Sequence, residues 1–318
     1  MHNRIEQSFI ASGEGIETTK WSLIILSITA LLQAVIVYFT ASVALLADTL
    51  HNIVDAMTSI PLWIAFTLTR LKPTRRFTYG YGRVEDVVGV VIVFMILLSA
   101  GIIGYESINR LVNPRKVDYV GAVCFASIIG FLGNELVARI RIKKGREIGS
   151  AALVADGYHA RTDALTSLAV LIGALGIYFG YPVFDPVIGL IITGVILKIV
   201  FETGVATFTR LLDGVDPSVI DEIKSAVKTT QGVQDVSDVR VRWSGHQLYA
   251  EVNIAVNPKL TVEEAHNIAK NAVCNLLRNM RHLYRVTIHI DPENASGDGY
   301  HCFQNHIEND ISVVHKKL

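Results

Sequence analysis

The sequence is short of charge. Asp, Glu, Lys and Arg make up 18% of its 318 residues, against about 25% in an ordinary soluble domain. A wholly soluble chain is therefore excluded. Neither sign is in surplus: 29 basic and 29 acidic residues give zero formal net charge. That excludes the broad basic footprint of a nucleic-acid binder, and no nucleic-acid partner is expected. Cysteine is scarce too. Cys124, Cys274 and Cys302 lie far apart with no CxxC, so neither a disulfide framework nor a thiolate metal cluster can be read from them. HExxH is missing, and the chain is not expected to be an enzyme. Apolar residues are plentiful, at 51% with a mean hydropathy of +0.40, which excludes disorder.

The apolar residues are concentrated in runs. Trp21 to Ala47, Val87 to Tyr105, Tyr119 to Asn134 and Ala164 to Phe184 contain no Asp, Glu, Lys or Arg. A helix crossing a bilayer needs about 20 such residues. With a turn at Thr40-Ala41-Ser42, six spans are expected, near 20–39, 43–69, 84–111, 118–140, 151–179 and 186–209. They form a transmembrane domain over 20–211 behind an N-terminal segment, 1–19. The first span is not a cleaved leader, because Glu6, Glu14 and Glu17 precede it and more membrane follows. Basic residues cluster after the second span (Arg70 to Arg76) and after the fourth (Arg139, Arg141, Lys143, Lys144, Arg146). Arg110, Arg115 and Lys116 run against this pattern. The majority signal places both termini in the cytoplasm, and the chain is expected in the plasma (inner) membrane.

The pattern changes beyond residue 212. Val219, Ile220, Ile223 and Val227 fall on one face of a helix, and 236–243 and 247–256 alternate like strands around Ser244-Gly245-His246. Thr261 to Glu264 has capping-box form and opens a second helix. Arg285 to Ile290 is a third strand. The order αββαβ predicts a small α+β cytoplasmic domain over 212–293, followed by a mobile tail, 294–318.

The chemistry lies in an internal repeat. Residues 44–59 and 152–167, offset by 108, share nine of sixteen positions, including Asp48/Asp156, His51/His159 and Asp55/Asp163. Such repeats are common in secondary transporters, whose substrate site sits at the repeat interface. His51 and Asp55, like His159 and Asp163, lie one turn apart on a helix face. Brought together, they offer two imidazole nitrogens and two carboxylate oxygens, a set zinc takes tetrahedrally. One divalent cation would also cancel the two carboxylate charges, which are costly in hydrocarbon unless paired or coordinating. One such pair would be a weak signal; two copies in a repeated segment are a strong one. Asp48 and Asp156 precede each His by about a turn. They either orient the imidazoles or join the ion path directly.

These residues resemble the cation diffusion facilitator (cation efflux) family over about residues 15–293. The resemblance implies six transmembrane helices and a ferredoxin-like cytoplasmic domain. It also implies a homodimer exchanging a divalent metal for protons. The paired motifs fall on the family's transport-site positions, and His-plus-Asp on both helices resembles the zinc-selective branches. Cadmium, cobalt, iron and manganese are the other metals the family admits. Tyr79 to Glu85 resembles the family's glycine-rich segment before the third helix. Loop positions where relatives bind a second metal are Thr74, Phe77 and Tyr81 here, so that site is expected to be absent. Arg83 matches a basic residue that pairs with an acid at the membrane–cytoplasm junction, here Asp213, as a charge interlock across the dimer. His266, His289 and Asp291 match a regulatory metal site between protomers. Two further ligand positions are Ser237 and Asn253, which leaves the cluster depleted and a purely structural role open. The alternative reading is a non-transporting, metal-sensing or scaffolding subunit of a heteromeric cation transporter.

Overall fold

The computed structural model describes residues 2–40, 49, 57, 59–113, 120–181 and 183–297. The chain divides into two compact units. The first comprises Met1–Gly214 with Trp243–Leu248, and the second Val215–Arg242 with Tyr249–Leu318.

The first unit is helical: α1 (His2–Thr40), α2 (Ser59–Thr69), α3 (Arg83–Val112), α4 (Val120–Ile148), α5 (Ala151–Tyr178) and α6 (Phe184–Leu211). Five of these are long and apolar enough to span a bilayer, and α2 is a shorter apolar helix. Much of the second expected span, 43–69, lies outside the described residues. Large apolar side chains such as Ile28, Leu31, Phe94, Leu98, Phe201 and Val205 are exposed on the helix surfaces, as lipid contact requires.

Helix α1 begins well before the expected residue 20. Within its polar stretch the hydroxyls find partners in the preceding turn: Ser12 donates to the Ser8 carbonyl (2.9 Å), Thr18 to Glu14 (2.7 Å) and Thr19 to Gly15 (2.8 Å). Helix α4 also overruns its expected end at 140. Arg139, Arg141, Lys143, Lys144 and Arg146 therefore ride on a helix, not in a loop. Arg110 closes the far ends of α3 and α6, reaching Glu106 at 3.2 Å and Asp185 at 2.8 Å.

Helix α5 is the core of the first unit. Half of its apolar window is buried, against a third or less for the other spans. It contributes Ala155 and Ala169 to a cluster with Ile92, Ile96, Ile192 and Ile196. Ala160 meets Leu26 and Val137, and Leu153 meets Leu62 and Phe66. Small residues let the neighbouring backbones come close. A Cβ on Gly157 would sit 2.9 Å from the Ile142 nitrogen, and one on Gly145 2.9 Å from the Val154 nitrogen. Only Gly149 and Ser150 separate α4 from α5. Gly149 takes φ +77, and Ser150 caps α5 by accepting from the Leu153 amide at 3.0 Å.

The second unit carries α7 (Pro217–Lys228), most of β1 (Asp235–Ser244) and β2 (Gln247–Val256), whose joined ends at Trp243–Leu248 group with the first unit, then α8 (Val262–Asn279) and β3 (Leu283–Pro292), with a 3₁₀ turn at Glu293–Ala295. The sheet order is β1-β2-β3. Asp216 caps α7 ahead of Pro217, and Thr261 with Glu264 forms a reciprocal capping box on α8. Ile223, Val227, Val252, Ile254, Ala272, Leu276 and Leu283 are buried. The Asn275 amide donates to the Ala226 carbonyl at 2.7 Å, tying α8 to α7. Most of the expected mobile tail, from 298 onward, lies outside the described residues.

Candidate functional site

The second repeat lies on α5. Asp156, His159 and Asp163 share one face of the helix and are 0%, 2% and 6% exposed. Three polar side chains this deep in a membrane helix are costly unless they are paired or hold an ion. Asp48, His51 and Asp55 of the first repeat lie outside the described residues. Thr49, within that segment, and Ser59, at its end, are buried.

The partner of Asp156 is Arg141. The guanidinium Nη1 lies 3.0 Å from the Asp156 carboxylate, and Nη2 donates to Ser59 Oγ at 2.5 Å. Arg141 is 1% exposed. Counted by composition alone, it reads as one more loop charge. The signal that finds it is periodicity. Asn134, Val137, Ala138, Arg141, Ile142 and Gly145 follow one another at helical spacing, and they make up the buried face of α4.

Arg83 and Asp213 form an ion pair within the chain. Arg83 Nη1 also donates to the Arg210 and Leu211 carbonyls at 3.3 Å, capping the end of α6. Asp213 turns the chain there with φ 62, a left-handed conformation that favours Asn, Asp and Gly among residue types. Both side chains of the pair are 40% or more exposed, which limits it to under about 1 kcal/mol.

A second buried polar cluster has no signature in the sequence. The turn Ser244-Gly245-His246 groups with the first unit. There His246 Nδ1 lies 2.9 Å from Glu85 Oε2, and the Gly245 amide donates to Asp86 at 3.1 Å. Ser12 Oγ is 3.2 Å from His246 Nε2. Burial disfavours the charged imidazole, but the Glu85 carboxylate outweighs it, so the His246 pKa is raised.

At the loop positions where the family resemblance places a second metal site, the Phe77 amide donates to Thr74 Oγ1 at 3.1 Å. The rings of Phe77 and Tyr81 pack 4.9 Å apart. In the second unit, His289 Nε2 sits 3.0 Å from Asp291, while His266 is exposed on α8. Among the described residues, no group of three or more His, Cys, Asp and Glu is placed to hold a metal.

The sequence matches two family descriptions: a cation efflux transmembrane domain over residues 19–212 and a cation efflux protein cytoplasmic domain over 215–293. It is 49% identical over 288 residues to a protein of Mycobacterium tuberculosis named probable cation efflux system protein, covering 91% of this chain and 87% of that one. A manganese efflux system protein of Bacillus subtilis is 27% identical, covering 86% of this chain and 95% of its own. A solved structure of a MamM C-terminal domain is 26% identical and covers 24% of this chain and 98% of its own, with a TM-score of 0.24. With both of its parts matched, the chain belongs to the cation efflux, or cation diffusion facilitator, family of integral membrane proteins that transport metal cations.

Proposed function

We propose that this protein exports a divalent metal, zinc first among candidates, from the cytoplasm in exchange for protons. His51, Asp55, His159 and Asp163 are the ligands. The observation that carries this reading is the burial of His159 and Asp163 on one face of α5, combined with the same pair at His51 and Asp55 in the repeat. Zinc suits mixed imidazole and carboxylate ligands, whereas manganese, the metal named for the Bacillus relative, suits oxygen-rich sites.

Metal binding needs neutral imidazoles and ionised carboxylates, so it displaces protons. A free histidine has a pKa of about 6.5, so a modest pH difference across the membrane biases whether the ligands carry metal or protons. The metal leaves on the outer side as protons reload the ligands. In this reading both termini face the cytoplasm of a plasma-membrane protein, and two copies associate through the second unit. A regulatory metal at His289 and Asp291 would draw further ligands, His266 among them, from that association.

Zinc flux into proteoliposomes against a proton gradient tests the assignment. Asp163→Ala should abolish flux while leaving the protein folded. Wild-type flux in that variant would refute it.

A further inference from the structure

The bundle holds a cation in a place where an unpaired one would be very costly. Arg141 lies inside the first unit, on the buried face of α4, and its side chain reaches two other helices. On α5 it meets the Asp156 carboxylate at 3.0 Å and the Asp156 carbonyl oxygen at 3.5 Å. On α2 it donates to Ser59 Oγ at 2.5 Å. Asp156 comes three residues before His159, and Ser59 comes four residues after Asp55. The guanidinium therefore joins the helix carrying one ligand pair to the helix that follows the other in sequence.

Charge points the same way. An ionised Asp156 beside the ligand set would add a third carboxylate to a site that one divalent cation neutralises with two. Paired with Arg141, it adds none. The guanidinium faces the carboxylate with Nη1 and the hydroxyl with Nη2, a division between two nitrogens that the single compact ammonium of lysine does not reproduce. Loss of groups that support the ligands of a metal commonly costs about 10–100-fold in affinity.

We propose that Arg141 is a positioning residue for metal transport. It ties the α5 segment that carries His159 and Asp163 to α2 through Asp156 and Ser59, and its charge pairs with the Asp156 carboxylate, so that Asp156 is not a metal ligand. This rests on the ligand assignment proposed above, and the test separates the two.

Full-length Ser59→Ala, Arg141→Lys and the doubly neutral Arg141→Gln/Asp156→Asn are purified beside wild type and Asp163→Ala. Zinc titration gives Kd, proteoliposome flux gives KM and kcat, and thermal unfolding reports folding. Ser59→Ala is the decisive variant because it leaves the buried ion pair intact. Its Kd and KM should rise together by about tenfold or more, with a smaller change in kcat and an unfolding temperature close to wild type. Arg141→Lys and the double variant should show the same rise. Wild-type KM in Ser59→Ala would overturn the proposal. So would wild-type KM in the double variant, since the pair would then serve charge balance alone. If Asp163→Ala is inactive while the other variants keep wild-type KM, only the role of Arg141 falls. If Asp163→Ala transports zinc normally, the ligand assignment falls and the role of Arg141 with it.

Discussion

His246 and Glu85 meet at 2.9 Å with side chains only 2% and 1% exposed. A turn residue and the first turn of α3 thus share a buried imidazole–carboxylate pair 161 residues apart in sequence. Asp86 adds attraction for the imidazolium.

The pair makes stability depend on pH. The folded pKa of His246 lies above the ordinary value of 6.5. Its stabilising contribution is therefore complete below about pH 6.5 and lost as pH rises through the folded value. Thermal unfolding of the purified protein should show a stability loss on the alkaline side that is absent in His246→Gln/Glu85→Gln. His246→Ala alone should cost about 3 kcal/mol, because it strands a buried carboxylate. An unchanged alkaline profile in the double variant would refute the coupling.

Close packing of α4 on α5 predicts opposite outcomes for two glycines. Gly157→Ala would push a methyl to 2.7 Å from Ile142 Cγ1 and 2.9 Å from its backbone nitrogen. A loss of about 1–3 kcal/mol is expected. Gly13→Ala meets nothing within 4 Å and should gain about 0.5–1 kcal/mol from helix propensity. Unfolding temperatures of the two variants check the contrast.

The capping box on α8 should titrate. The Thr261 amide and hydroxyl donate to Glu264 and hold its pKa below the usual carboxylate value. A depressed folded pKa means that the stabilisation is present above the ordinary carboxylate pKa and lost as pH falls through the folded value. Thr261→Ala should weaken the start of α8 by about 1 kcal/mol. Amide exchange of Val262 to Ala265 at neutral and acid pH would read this directly.

Metal choice should follow the imidazoles. If His51 favours zinc, His51→Asp should let manganese compete for transport, since added carboxylate suits harder cations. Competition flux in vesicles checks this, and undiminished zinc preference would argue against the role given to His51.

Much of the architecture is legible in the sequence because membrane burial leaves long unbroken signals. The charge-free runs mark the spans, and the paired HxxxD segments mark the candidate ligands without any knowledge of the packing. Two features stay hidden for the same physical reason: each rests on a partner remote in sequence. Arg141 sits among other basic residues near a helix end, so composition assigns it to a loop, and only the periodicity of α4 puts it inside. His246 reads as a turn residue because nothing local shows that Glu85 and Asp86 will lie against it. The start of α1 is obscured because the stretch before residue 20 is polar and lacks the unbroken apolar run that marks the spans.

The short link at Gly149 and Ser150 also limits how the protein can move. With two residues between them and backbones close at Gly145 and Gly157, α4 and α5 cannot slide or swivel apart without breaking that packing. A transport motion that keeps this packing intact would carry α4 and α5 together as one hairpin.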